Sequence, residues 1–243
     1  MGPRTIRLGG LEARVVEAVP PDSARDAPVI VLLHGFSMRA DDLSPFGSSL
    51  GLEASFVFPE GPRDLLSEGL GGRAWWSIDT ARRDADVARG VERDLSPEDP
   101  AGLPAARETL LMLLDEVGRR WSGRPLFLGG FSQGAILSLD VVLRARPALS
   151  GLILLSGARI TADAWAPLFG AVRGLDVFQS HGRRDRELSY TAAASLAADL
   201  AESGARVTWR PFDGGHEIPL VVFRELKKFI RQRLAERETS SSP

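Results

Sequence analysis

Short apolar runs separated by longer amphipathic stretches form the main pattern of this chain. The run at residues 29–33 is unbroken and rich in β-branched side chains, which is typical of a strand buried on both faces of a sheet. Further strands are predicted at residues 55–58, 125–128, 151–155, 175–179 and 206–212, the last of them more polar. Residues 11–19 alternate in polarity and predict strands at an antiparallel edge, and a polar turn follows at residues 20–27.

Helical patterns lie between these strands. Leucines recur at helical spacing from Leu110 onwards, and Pro104 suits the first turn of that helix. Three more helices are predicted at residues 135–146, 190–203 and 219–236. The alternation predicts a single α/β domain over residues 1–236, with a mostly parallel sheet covered by helices on both faces. Residues 237–243 are expected to form a disordered tail.

Composition narrows the classes of function. The net charge of −2 gives no general attraction to nucleic acid or to an anionic membrane. The absence of cysteine excludes a thiol nucleophile, a disulfide framework and a cysteine-ligated metal. The N-terminus lacks the apolar core of a signal peptide, and no apolar run approaches the roughly 18 residues that span a bilayer. We therefore expect a cytoplasmic protein with no integral membrane segment and no nucleic-acid partner.

Residues 130–134 read Gly-Phe-Ser-Gln-Gly and fall between a predicted strand and a predicted helix. On such a turn the serine has a strained backbone and a hydroxyl exposed above the sheet, and the flanking glycines avoid a clash. This context predicts that Ser132 is the nucleophile of an α/β-hydrolase fold. The alternative is an ordinary tight turn in which the serine caps the helix.

A serine hydroxyl needs a base to remove its proton, and the chain has three histidines. In this fold the order along the chain is nucleophile, acid, histidine. His34 precedes Ser132, and His181 ends a strand that the acid should follow. His216 lies in a glycine-bearing loop between the last strand and the last helix, so we predict that it is the base. A histidine on a surface loop is the alternative.

The acid should lie just past the strand at residues 175–179, where it can orient the imidazole. Asp185 has that position, whereas Asp176 begins the strand and would lie at the wrong end of the sheet. Asp213 is three residues from His216 and would have to fold back on it. We predict Asp185 as the acid and keep Asp213 as the alternative.

The first buried parallel strand ends in His34-Gly35-Phe36. In this fold, one backbone N–H of the oxyanion hole comes from this position and the other from the residue after the nucleophile. Phe36 and Gln133 are therefore the predicted donors, together worth several kcal/mol of transition-state stabilisation. His34 is expected to be a structural hydrogen-bonding residue beneath the site.

Four segments, at residues 32–36, 129–135, 181–185 and 215–219, resemble the phospholipase/carboxylesterase family, which includes acyl-protein thioesterases and small bacterial carboxylesterases. The resemblance implies Ser132, Asp185 and His216 as a catalytic triad, with Phe36 and Gln133 in the oxyanion hole. Residues 74–79 resemble the tryptophan-containing segment near the acyl pocket of that family. Residues 36–43 lack the early aspartate of the eukaryotic thioesterases and are closer to the bacterial esterases.

The connection between residues 155 and 175 is about 20 residues, too short for the cap domain that many hydrolases insert there. An uncapped site favours carboxylic esters of short to medium acyl chain. Trp75, Trp76 and Leu220 are the predicted substrate-binding residues, with core packing as the alternative for both tryptophans. Residues 61–102, rich in Gly, Arg and Asp, form a connection of a length that is usually functional or disordered.

The expected partner is a small-molecule ester, with no cofactor and no metal. Monomer and homodimer both stay open. An acyl-protein thioesterase or lysophospholipase would use the same triad, and so would a peptidase. The alternative of another class is a non-catalytic binding protein that has kept the fold.

Overall fold

The computed structural model describes residues 3–19 and 27–240. Most of the turn predicted at residues 20–27 lies outside the described residues. Ten strands lie within them: β1 (Arg4–Leu8), β2 (Leu11–Glu17), β3 (Val29–Leu33), β4 (Ser55–Pro59), β5 (Arg63–Asp64), β6 (Arg73–Ala74), β7 (Leu126–Phe131), β8 (Gly151–Leu155), β9 (Asp176–Gly182) and β10 (Arg206–Phe212).

The same residues form eight α-helices, and short 3-10 turns accompany them. They are α1 (Ala40–Leu43), α2 (Pro45–Ser49), α3 (Thr80–Ala88), α4 (Leu103–Arg120), α5 (Gln133–Ala145), α6 (Ala162–Trp165), α7 (Tyr190–Glu202) and α8 (Leu220–Ser240). Within the described ranges, no helix is both long enough and apolar enough to cross a membrane.

Eight strands form one sheet in the order β1-β2-β4-β3-β7-β8-β9-β10. The pairs β1–β2 and β2–β4 are antiparallel, and every pair from β4 to β10 is parallel. The carboxyl ends of the parallel strands therefore meet at one edge of the sheet, where ligands bind in open α/β folds. The sequence prediction of a mostly parallel sheet with an antiparallel edge is confirmed.

The core has two layers, one on each face of the sheet. Alternate residues of β3 enter opposite layers: Val31 packs with the layer under α4, α5 and α7, whereas Leu32 packs with the layer under α1, α2 and α8. All five β3 residues are buried, as the unbroken apolar run predicts for a strand covered on both sides.

Two expectations need correction. The prediction missed β1, because only Leu8 of its five residues is buried and the rest reads as a polar surface segment. The last helix continues through Ser240, so residues 237–240 are helical and the predicted tail does not begin at 237. Its remaining residues, 241–243, lie outside the described part of the chain.

The connections differ in character. Residues 156–175 hold the short helix α6 and a 3-10 segment, with no large cap, as predicted. The long connection at residues 61–102 contains the small antiparallel pair β5–β6 and the helix α3. This second connection borders the carboxyl edge of the sheet, where it contributes to the cavity described next.

Candidate active site

Ser132 lies on the turn between β7 and α5 with φ 53° and ψ −117°. A residue with a side chain pays about 1–3 kcal/mol for such a conformation, so the surrounding structure must hold it. One restraint is the hydrogen bond from the Ser132 backbone N–H to the carbonyl of Leu155 on β8, 2.9 Å long. Within the described residues, the Ser132 side chain makes no capping hydrogen bond to α5, which argues against the helix-cap alternative.

The glycines on either side of Ser132 allow a close approach between the turn and β3. A Cβ at Gly134 would overlap the carbonyl oxygen of Leu33, and one at Gly130 would lie 2.6 Å from that same oxygen. No side chain fits in that space without displacing the backbone. The close approach fixes the height of Ser132 above the sheet, as the sequence pattern predicts.

His216 and Asp185 meet at the carboxyl ends of β10 and β9. The Nδ1–H of His216 donates to Oδ2 of Asp185 over 2.7 Å. The Asp185 side chain is fully buried, whereas that of His216 is 17% exposed. The loop carrying His216 comes close because residue 182 is glycine: a Cβ there would overlap the carbonyl oxygen of Gly215.

The Asp185 carboxylate is held by hydrogen bonds at both oxygens. Oδ1 accepts the backbone N–H groups of Glu187 at 2.8 Å and Leu188 at 2.9 Å. Burial raises the pKa of this carboxyl, but hydrogen bonds from His181 and His216 outweigh it and hold the pKa well below its usual range. Asp185 is therefore ionised at neutral pH and can orient the imidazole of His216.

The other two aspartates that the sequence offers lie elsewhere. The side chain of Asp213 is 80% exposed and faces Arg184 at 3.7 Å. Asp176 lies at the opposite end of β9, where it accepts from Arg206 and Arg233.

His34 lies beneath the site and is completely buried. Its Nε2 accepts the backbone N–H of Gly61 at 2.8 Å, so its hydrogen lies on Nδ1, which donates to the carbonyl of Gly35 at 2.7 Å. Burial lowers the pKa of His34 to about 4. The ring is therefore neutral at pH 7 and ties the end of β3 to the start of the 61–102 connection.

The two predicted oxyanion donors lie beside Ser132. A Cβ at Gly35 would lie 3.2 Å from that of Ser132, which brings the backbone of Phe36 next to the serine. Gln133 is the first residue of α5, where a backbone N–H has no acceptor within the helix. The buried Gln133 side chain accepts from the backbone N–H of Trp75 and donates to the carbonyl of Trp76, both at 2.9 Å.

Ser132 and His216 open onto one cavity of about 610 Å³, and Phe36 and Gln133 line it as well. This volume is within the usual range for small-molecule sites. The apolar part of the wall includes Trp76, Ile78, Leu95, Phe131, Ile136, Ile160 and Leu188.

Two predicted substrate-binding residues need correction. Trp75 is absent from the cavity wall: it is 3% exposed, and its indole N–H donates to the carbonyl of His34 at 2.9 Å. It is a core residue that supports the floor of the site. Leu220 is also absent from the wall and is 73% exposed at the start of α8. Trp76, by contrast, lines the cavity, and its role in substrate binding stays a prediction.

The mouth of the cavity is charged, and the sequence did not predict this. It is formed by residues 76–100, here called the rim segment, together with Glu187. Arg83 and Arg93 each lie 3.8 Å from the carboxylate of Glu187. Arg83 also lies over the Phe36 ring, 5.8 Å from its centroid. The signal available was the density of Arg and Asp around Trp76, which does not by itself tell which charges face the cavity.

Comparison with known protein families gives a match over most of the chain. The family described as phospholipase/carboxylesterase matches residues 15–234. A carboxylesterase of Arabidopsis thaliana, SOBER1, is 25% identical over 84% of this chain and 90% of its own length. An acyl-protein thioesterase 1 of Gibberella zeae is 26% identical over 91% of this chain and 97% of its own.

Solved structures agree in fold. The esterase PE8 superposes with a TM-score of 0.74 at 22% identity, covering 91% of this chain and 98% of PE8. A Bacillus cereus carboxylesterase gives 0.67 at 19% identity, covering 92% of this chain and 94% of its own. At these identities the structures show the fold alone, the mostly parallel α/β-hydrolase sheet without a large cap.

Proposed function

The chain belongs to the phospholipase/carboxylesterase family and is an ester hydrolase, and we propose that it cleaves carboxylic esters of short to medium acyl chain through an acyl-enzyme on Ser132. One observation carries the proposal. Ser132, on a strained turn, and His216, hydrogen-bonded to the buried Asp185, line the same cavity.

In the proposed first half-reaction, the Nε2 of His216 accepts the proton of the Ser132 hydroxyl as Oγ attacks the ester carbonyl. The carbonyl π electrons move to oxygen, and the N–H groups of Phe36 and Gln133 stabilise that oxyanion. Collapse of the intermediate breaks the bond to the alcohol oxygen, which takes the proton from His216. Asp185 stabilises the imidazolium throughout.

In the second half-reaction, water replaces the alcohol. The neutral His216 takes a proton from water as the water oxygen attacks the acyl carbon. His216 then passes that proton to Oγ of Ser132 when the acid leaves. Neither half-reaction requires a redox partner or a cofactor.

The apolar wall around Trp76 and Ile160 supports an acyl pocket. An acyl group of modest length would bury there while the alcohol faces the charged mouth at Arg83 and Glu187. A thioester uses the same steps, and the similarity to an acyl-protein thioesterase 1 keeps this second candidate. Comparing kcat/KM for a short-chain aryl ester and a long-chain acyl thioester separates them, and a tenfold preference for the thioester would reverse the ranking.

Labelling with a fluorophosphonate tests the catalytic role of Ser132. We expect the wild-type protein to be modified at Ser132 only, and Ser132→Ala to be unlabelled and to lose turnover by about 10⁶-fold. The melting temperature of the variant should stay near that of the wild type, because the side chain makes no capping bond. An unlabelled wild-type protein would favour a non-catalytic binding role. Location in the cytoplasm and the absence of nucleic-acid partners stay predictions, and monomer and homodimer both stay open.

A further inference from the structure

A second buried histidine contacts the acid. His181, near the end of β9, is fully buried, and its Nε2 lies 3.2 Å from Oδ2 of Asp185 and 3.2 Å from the carbonyl oxygen of Leu188. The same Oδ2 accepts from His216 at 2.7 Å. Two histidines therefore converge on one carboxylate oxygen, and the proposed mechanism uses only one of them.

We propose that His181 is a positioning residue whose Nε2–H is shared between the Leu188 carbonyl and Oδ2 of Asp185 and so holds this oxygen where it orients His216. The inference rests on the proposed role of Asp185 and His216. His181 does not line the cavity, so it acts through the carboxylate and does not contact substrate.

The hydrogen-bonding pattern defines the tautomer of His181. Both neighbours of its Nε2, the Asp185 carboxylate and the Leu188 carbonyl, are acceptors, so the hydrogen lies on Nε2. The opposite nitrogen, Nδ1, is buried and has no hydrogen-bond partner among the described residues. An unpaired buried nitrogen is unfavourable. An apolar side chain would fill this space without that disadvantage, which points to a purpose for the Nε2–H.

The arrangement on Asp185 explains why this donor matters. Backbone N–H groups of Glu187 and Leu188 hold Oδ1, whereas the polar neighbours recorded for Oδ2 among the described residues are the side chains of His181 and His216. His216 is the group that must exchange protons, so it cannot also be the fixed reference for the carboxylate. His181 can hold the carboxylate in a fixed position, because its side chain is fully buried on β9.

The groups around His181 come from three elements. Asp185 lies in the loop after β9, and Tyr190 of α7 lies with its ring centroid 6.4 Å from that of His181. On the sheet, Pro211 of β10 is its neighbour. Asp185 is therefore the charged group in contact with the ring, and a substitution at 181 changes the electrostatics of the triad through that carboxylate.

Two matched substitutions test the proposal. His181→Leu removes the donor at similar volume, whereas the side-chain amide of His181→Gln can replace the Nε2–H. We expect kcat/KM on an aryl ester to fall about 10- to 100-fold in the leucine variant, the rate equivalent of one hydrogen bond to a charged group. The glutamine variant should recover to within a few-fold of the wild type. Equal losses in both variants would overturn the proposal.

The pH profile gives a readout that packing alone would not move. Without the Nε2–H, more negative charge remains on Oδ2, so the protonated His216 is stabilised and the acidic limb of kcat/KM moves to higher pH. In an Asp185→Asn background, His181→Leu should cause almost no further loss, since there is no carboxylate left to position. A full additional loss in the double variant would show that His181 acts independently of Asp185.

A measurement on the unmodified protein covers the case in which the leucine variant does not fold. The chain has three histidines, so ¹⁵N-histidine NMR resolves each ring. We expect the hydrogen of His181 on Nε2, and a hydrogen on Nδ1 would overturn the proposal. The NMR result does not depend on turnover. Failure of fluorophosphonate labelling would count against the proposed function only, and NMR would still test the contact between His181 and Asp185.

Discussion

The two sides of the cavity are built in different ways. The turn that carries the proposed nucleophile, residues 130–134 and here called the catalytic turn, is held by backbone approaches that leave no room for a side chain at Gly134. The rim segment on the other side contains α3, in which no residue is buried, and its charges meet Glu187 at 3.8 Å. Steric exclusion fixes the first side, whereas backbone hydrogen bonds at Arg93 and Glu98 and partly exposed ion pairs hold the second. The chemistry is therefore rigidly positioned, while the substrate-facing mouth tolerates change.

Energetic scales support this contrast. Overfilling a packed site destabilises a protein by about 1–3 kcal/mol, whereas an exposed ion pair contributes about 0–1 kcal/mol. Substitutions that add volume on the catalytic side should therefore affect folding and turnover together. Those on the rim should affect substrate affinity with little change in stability.

The largest difference is expected between two glycine-to-alanine substitutions. Gly134→Ala pushes a methyl group into the Leu33 carbonyl, and we expect kcat/KM to fall at least about 100-fold with about 1–3 kcal/mol lost in unfolding free energy. Gly71→Ala in the 61–102 connection is the control, because a Cβ there meets nothing within 4 Å. Ester kinetics and urea titration measure both. Equal effects at the two positions would remove the contrast.

The second test concerns His34, which joins the two regions through Gly61. Its pKa is lowered to about 4 in the folded protein, so the unfolded chain binds the proton first as pH falls. Stability should therefore decline from about pH 6.5 to pH 4, by about 3 kcal/mol for this group. His34→Gln keeps an acceptor for the Gly61 N–H without titrating.

Urea unfolding of both proteins across that range isolates the His34 contribution. The difference in unfolding free energy between the wild type and His34→Gln should narrow or reverse as pH falls. Asp185, whose pKa is depressed, has its own effect mainly below pH 4, because its unfolded-state value is near 3.8. A pH-independent difference would mean that His34 is not the neutral buried link described above.

The sequence predicted the catalytic side far better than the rim. Short local motifs mark the strand ends and turns that carry Ser132, Gly134 and His216. The sequence pattern alone therefore indicated where these residues lie. Trp75 and Trp76 have the same local signal. Their different directions depend on contacts made in the folded protein. The indole of Trp75 donates to the His34 carbonyl in the core, and Gln133 binds the backbone of both residues, while the Trp76 ring faces the cavity.

Leu220 shows the same limit. It follows the His216 loop closely in sequence, but α8 begins there and directs it to solvent. The contact of His181 with Asp185 also needed the structure, because the sequence order indicated only that the acid follows this strand. The position of a residue in the sequence predicts at which end of the sheet it lies, but it does not predict the direction of its side chain.

A smaller effect is expected at the apolar wall. Trp76→Ala enlarges the cavity, so esters of longer acyl chain should gain about tenfold in kcat/KM relative to short ones. Trp75→Phe is the matched control: it removes the hydrogen bond to the His34 carbonyl and should lower stability while leaving the chain-length profile unchanged. An unchanged profile in Trp76→Ala would show that the acyl chain binds elsewhere in the cavity.

The smallest effect should come from the rim. Glu187→Gln removes one carboxylate near both Arg83 and Arg93 but keeps the backbone N–H that holds Asp185. We expect KM to change roughly twofold to threefold with kcat constant, and added salt to produce a similar change in the wild type. Asp115→Asn, which breaks a more exposed surface pair with Arg119 on α4, away from the cavity, should leave KM unaltered. A large fall in kcat for Glu187→Gln would mean that the mouth and the catalytic residues are coupled, and the two sides would then have to be treated as one unit.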